Sequence, residues 1–154
     1  MSKNLFFDEL TFLDKSFKNS DEFFDFIFPV LKQKGYVRDS FLDAIKAREN
    51  DYPTALPTEP DAVALPHTDI EHIIKPFIAF TRVKGSVPWC EMANNDHILD
   101  VSFIFLLGFM DKDGHINLLQ ALMGNLSDEQ FMQHLKVAQT SEEIVQFLTS
   151  SVQF

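Results

Sequence analysis

The chain has 154 residues, 45% of them hydrophobic and 23% charged, with a formal net charge of −10. That apolar fraction can offset the entropy of ordering, which excludes a disordered chain, and the length suits one domain with a sizeable core. The negative charge excludes nonspecific nucleic-acid binding, which needs a basic surface; it serves solubility and suits a partner that docks through a basic face.

Leu5 to Leu13 can supply a first strand. Ser20-Asp21-Glu22 reads as a helix start, with Phe23, Phe24, Ile27, Phe28 and Leu31 recurring on one face until Gly35 stops it. A second helix begins near Asp39-Ser40, turns Phe41, Leu42 and Ile45 inward, and is bounded by Pro53. Arg48 falls in its last turns, where its charge complements the helix dipole. Residues 53 to 61 hold Pro53, Pro57 and Pro60 and read as a loop. Strands are expected at Asp61–Leu65, Phe77–Val83, Val87–Trp89 and Val101–Leu107, with Gly85 turning the chain between the second and third. The unbroken apolar content of the last predicts a central strand buried on both faces. His115–Asn125 reads as a helix. Ser127-Asp128-Glu129-Gln130 is a capping-box pattern opening another, with Phe131, Leu135 and Val137 apolar. Ser141-Glu142-Glu143 opens a last one, carrying Ile144, Phe147 and Leu148. Helices at both ends and strands in the middle predict an α/β fold: a mixed β-sheet flanked by helices on both faces, a single-domain sandwich over residues 1–154.

Seventeen phenylalanines against one Trp and two Tyr predict a core rich in rings without polar handles. Cys90 is the only cysteine, so no intrachain disulfide can form and a reducing compartment is compatible. It is expected to be a small buried residue beside Trp89. The longest strongly apolar run, Val101 to Met110, is too short for the roughly 20 residues that span a bilayer. Met1-Ser2-Lys3-Asn4 opens no long apolar segment with a cleavage site, so a cytoplasmic protein is expected.

The most informative segment is Leu65-Pro66-His67-Thr68-Asp69, at the end of Asp61-Ala62-Val63-Ala64-Leu65. A strand-like run stops, proline fixes the backbone and favours an extended residue before it, and an imidazole follows at once. This presents His67 at the rim of a sheet, with Thr68 or Asp69 able to cap a following turn. The segment runs on into Glu71-His72-Ile73; Arg48-Glu49 lies upstream, and His115-Ile116-Asn117-Leu118-Leu119 follows a buried apolar strand. In this order and spacing the chain resembles the IIA component of the bacterial phosphoenolpyruvate-dependent sugar phosphotransferase system, fructose-mannitol class, galactitol-like branch. The resemblance covers about residues 5 to 150, and Leu-Pro-His-Thr-Asp is its most specific part.

The resemblance implies a phosphotransferase component that forms a phosphohistidine. His67 would accept the group from the carrier HPr and pass it to a IIB cysteine, with an indirect link to the membrane component IIC and no metal or organic cofactor. The sugar, galactitol by analogy, need not touch this chain. A neutral imidazole suits such a relay because its reference pKa is about 6.5. By resemblance Arg48 is the phosphate clamp, its planar guanidinium offering a fork that lysine lacks. His115 matches a second site histidine, able to donate to the phosphoryl group or orient His67; its bland alternative is a surface residue at a helix start. Asp69 and His72 depart from the His-Gly-Thr pattern of mannitol-type members. Asp69 would repel phosphate if turned inward, and is expected to cap a turn or hold an imidazole tautomer. Thr68 and His72 are further candidate site residues; His72 could face the site, although a helix surface is the stronger expectation for it, and His97 and His134 are expected in solvent.

Two other classes compete. A zinc enzyme lacks support, since there is no His-Glu-x-x-His or Cys-x-x-Cys pattern. A regulatory IIA-like protein, signalling through phosphorylation-dependent partner binding, is the alternative to a transport relay.

Overall fold

The computed structural model describes residues 4–153, and of Lys112, Gly114 and His115 the backbone alone. The first strand, β1, spans Phe6–Lys15, and two helices follow, α1 (Ser20–Gln33) and α2 (Phe41–Asp51). The cap of α1 is Asn19, one residue before the expected start; its side chain accepts from the Glu22 amide at 2.9 Å. Phe23, Phe24, Ile27 and Leu31 are fully buried. In α2 the buried stripe is Phe41, Ile45 and Glu49, every fourth residue. Phe28 stacks on Phe41 and ties the two helices together.

The proline-rich segment is a loop with one exception: Ala55–Leu56 forms a short strand, β2, antiparallel to β3 (Ala62–Ala64). Two long strands follow, β4 (Phe77–Glu91) and β5 (Asn94–Gly108). Gly85 does not turn the chain. Its φ of +79° instead accommodates a register slip between Arg82 and Val87, so the two expected strands are one bulged strand. The reversal comes later, at Met92-Ala93, with Ala93 at φ +65°. The pairings make one mixed sheet: β1–β4 parallel, β4–β5 antiparallel, β5–β3 parallel, with β2 returning to the far end of β4 through Ala55 and Glu91. β5 is therefore flanked on both sides, and Phe103 to Leu107 are buried as the apolar run predicts.

The C-terminal helices are α3 (Lys112–Leu126), α4 (Glu129–Val137) and α5 (Ser141–Ser151). The capping box is corrected in detail. Asp128 caps α4 through the Gln130 amide, whereas the Ser127 hydroxyl donates back to Gly124 O. Val137 is exposed, and Met132 takes the inward place beside Phe131 and Leu135. The sheet's alternation separates two cores. Ala79, Ile104 and Leu106 face α1 and α2, while Ile78, Phe80, Phe103 and Phe105 face α3, α4 and α5. This is the expected mixed sheet with helices on both faces. Among the described residues no helix is long and apolar enough to cross a membrane.

Candidate active site

Strand β3 carries the chain to His67. Leu65 N donates to Thr54 O at 3.2 Å, and Leu107 N donates to Pro66 O at 3.0 Å. His67 then forms an isolated parallel bridge with Leu107, so the imidazole emerges beside the end of β5. The backbone is held on both sides of proline before the ring begins.

The ring is held as well. His67 Nδ1 lies 2.8 Å from Leu65 O. A carbonyl only accepts, so Nδ1 carries the proton, and in the neutral ring Nε2 carries the lone pair. Phe109 meets the ring edge-to-face, with centroids 5.8 Å apart. Burial pushes the His67 pKa below the ordinary histidine value. The Leu65 carbonyl works against that fall, the Arg48 charge adds to it and Asp69 opposes it. A neutral imidazole is favoured in consequence.

Arg48 lies in the last turn of α2, and its carbonyl accepts from Tyr52 N. Its guanidinium sits 5.7 Å over the exposed Tyr52 ring. Arg48 Nη1 donates to Asp69 Oδ1 at 3.0 Å. Asp69 therefore does neither of the things expected of it: its side chain caps no turn, and the imidazole tautomer is held by Leu65 instead. Arg48, His67, Thr68, Asp69, Ile70, Glu71 and Ile116 line one open cleft of about 640 Å³.

The other histidines sort themselves by contact. His72, in a short 3₁₀ turn (Ile70–His72), places Nδ1 2.8 Å from the Ser40 hydroxyl and does not line the cleft. His115 is placed in the first turns of α3, but its side chain lies outside the described residues, as does any role for it. His97 is exposed and bonded to Glu91; His134 stacks flat on Phe147 with centroids 3.9 Å apart. Cys90 is only half-buried.

Residue types alone do not mark Glu49, which supports the site from behind. Its carboxylate accepts from Thr54 N at 2.6 Å, from the Thr54 hydroxyl at 2.8 Å and from Trp89 Nε1 at 2.9 Å. These bonds tie the end of α2, and with it Arg48, to the segment before β2 and to β4. Burial outweighs all three and pushes the Glu49 pKa up to about 7. The signal in the sequence is the spacing Phe41, Ile45, Glu49, which carries a carboxylate onto a buried face.

A histidine held in one tautomer at a sheet rim, with an arginine in the same cleft, is an arrangement chemically able to take up and pass on a phosphoryl group. Residues 4–151 match the family described as phosphoenolpyruvate-dependent sugar phosphotransferase system, EIIA 2, and the chain belongs to that family. The galactitol-specific EIIA component of Escherichia coli K12 is 28% identical over 120 residues, which cover 78% of this chain and 79% of that protein. A fructose-specific EIIABC component of Mycoplasma pneumoniae is 30% identical over 120 residues, 77% of this chain and 16% of that protein. Among solved structures, nitrogen regulatory protein IIA-Ntr of Neisseria meningitidis superposes with a TM-score of 0.76 at 22% identity, covering 94% of this chain and 96% of that one. Mannitol IIA of E. coli, solved in complex with phosphorylated IIB, gives 0.73 at 22% identity, covering 92% and 95%. At these identities the two structures establish the shared fold.

Proposed function

We propose that the protein is a cytoplasmic phosphoryl carrier: His67 Nε2 takes the phosphoryl group from the phosphohistidine of HPr and gives it to a cysteine of a separate IIB protein. The observation that carries this reading is the Nδ1–Leu65 contact, which leaves the lone pair of the neutral ring on Nε2. As the new N–P bond forms, the N–P bond of the donor breaks and its imidazole leaves. The charge that develops on the His67 ring is stabilised through Nδ1–H by the Leu65 carbonyl. In the second half-reaction a cysteine thiolate attacks phosphorus, an S–P bond forms, and His67 departs as neutral imidazole. Catalysis is positioning and electrostatics throughout, with Arg48 meeting the phosphoryl charge. IIB would pass the group on to the sugar carried by the membrane component IIC. Galactitol is the first sugar to test, given the galactitol-specific relative.

The test uses phosphoenolpyruvate, enzyme I and HPr, followed by IIB proteins of this class. One acid-labile phosphoryl group should appear and then discharge rapidly to IIB. If no IIB discharges it while a regulator binds only one phosphorylation state, the protein is a regulatory module instead.

Arg48→Lys tests the clamp. Lysine keeps the charge and loses the fork, and a charge-assisted hydrogen bond contributes about 1.5–3 kcal/mol. Rapid-quench transfer should slow by roughly 10- to 100-fold while HPr affinity, set by a wider surface, changes little. Transfer at the wild-type rate would reduce Arg48 to a helix-end charge.

A further inference from the structure

The Asp69 side chain caps no turn; it holds Arg48, whose guanidinium fork suits a phosphoryl group. The Asp69–Arg48 pair closes across the cleft that His67 lines, two residues from the ring. Both partners are accessible, with 38% of the Arg48 side chain and 66% of the Asp69 side chain exposed. Exposed ion pairs are individually weak, and a phosphoryl group offers guanidinium more charge and more acceptor oxygens than one carboxylate does. We propose that Asp69 is a positioning residue for the relay, the resident counter-ion of Arg48: the incoming phosphoryl group displaces it, and it reclaims Arg48 as the group leaves.

The exchange has a direct consequence for the relay. A carrier must release its phosphoryl group as readily as it accepts it. An arginine without a competing anion would hold the phosphohistidine too well. Asp69 supplies the competitor. The phosphoryl step itself remains the N–P exchange at His67. This inference rests on the phosphocarrier reading above and assigns the residue that keeps it reversible.

The experiment measures the equilibrium and both rates of phosphoryl exchange between HPr and the full chain, then discharge to a IIB cysteine. Asp69→Asn keeps the shape of the side chain and removes its charge; Asp69→Ala serves as a second variant, and thermal melting verifies that each is folded. In both, the equilibrium should move about 3- to 10-fold toward the phosphorylated protein, and discharge to IIB should slow by a similar factor. The same substitutions are made in an Arg48→Ala background. If Asp69 acts through Arg48, their effect there falls to less than twofold. An effect of full size in that background would show direct repulsion of phosphate and overturn the exchange. An unchanged equilibrium in folded Asp69→Asn and Asp69→Ala would also overturn it. Absence of labelling in the wild-type protein would instead sink the phosphocarrier reading itself, so the two failures are distinguishable.

Discussion

His67→Ala should take up no measurable phosphoryl group from phospho-HPr, while its melting temperature should stay within several degrees of the wild-type value. The loss is complete because the substitution removes the nucleophile itself. The cost to stability should be about 1–2 kcal/mol, since the substitution gives up the ring's contact with Phe109 and its bond to Leu65. The wild-type protein should also show a characteristic pH profile. Only the neutral ring attacks, and burial holds the His67 pKa below 6.5. Acceptance should therefore remain level as pH falls through 6.5 and decline only at lower pH, measured with a donor held fully phosphorylated. Stoichiometric labelling of folded His67→Ala would remove His67 from the mechanism.

Glu49→Gln should stabilise the protein at pH 8, whereas Glu49→Ala should destabilise it, most strongly at low pH. The sign follows from where the proton sits. Glu49 has its pKa raised from 4.5 to about 7 in the folded chain. Below 4.5 both folded and unfolded forms are protonated, and folding carries no ionisation penalty. Between 4.5 and 7 the unfolded form ionises first, so stability falls as pH rises. Above 7 the penalty is constant, at about 3 kcal/mol for a rise of this size. Glutamine escapes it while keeping the contacts: its oxygen can accept from Thr54 N and Trp89 Nε1, and its amide can donate to the Thr54 hydroxyl, which rotates. The gain at pH 8 should approach 3 kcal/mol and vanish near pH 4. Alanine leaves the Thr54 amide and the Trp89 indole without this acceptor and opens a void, a loss of about 3–5 kcal/mol near pH 4 that shrinks toward pH 8, where alanine escapes the ionisation penalty as glutamine does. It should also loosen the end of α2 and slow transfer through Arg48. Denaturant titrations of the three proteins from pH 4 to 8 check this, and a Gln variant no more stable than wild type at pH 8 would contradict it.

The position of His67 was legible because its signals are local. An apolar strand, a proline and a histidine in direct succession constrain one another within five residues. The helix faces were legible for a similar reason, since Phe23, Phe24, Ile27 and Leu31 repeat with the helical period. Gly85 was not, because a glycine with left-handed backbone serves a turn and a bulge equally well; only the slipped pairing with β5 distinguishes them. Ser127 and Asp128 both can cap, and the choice depends on where the helix axis enters. Asp69 was misassigned because its partner lies 21 positions away on another element. Glu49 stood in the stripe of buried residues, but its donors come from Thr54 and from Trp89, the latter 40 positions on, and no local pattern announces that meeting.

The central claim is that Nε2 of His67 carries the phosphoryl group, and one measurement addresses it directly. The wild-type protein, labelled with ¹⁵N in its histidine rings, is phosphorylated through enzyme I and HPr and observed by ³¹P–¹⁵N correlation at alkaline pH, where phosphohistidine persists. A single phosphorus signal coupled to Nε2 of His67, disappearing when IIB is added, is the predicted result. Coupling to another histidine, to Nδ1 of His67, or phosphate on a residue other than histidine would contradict it.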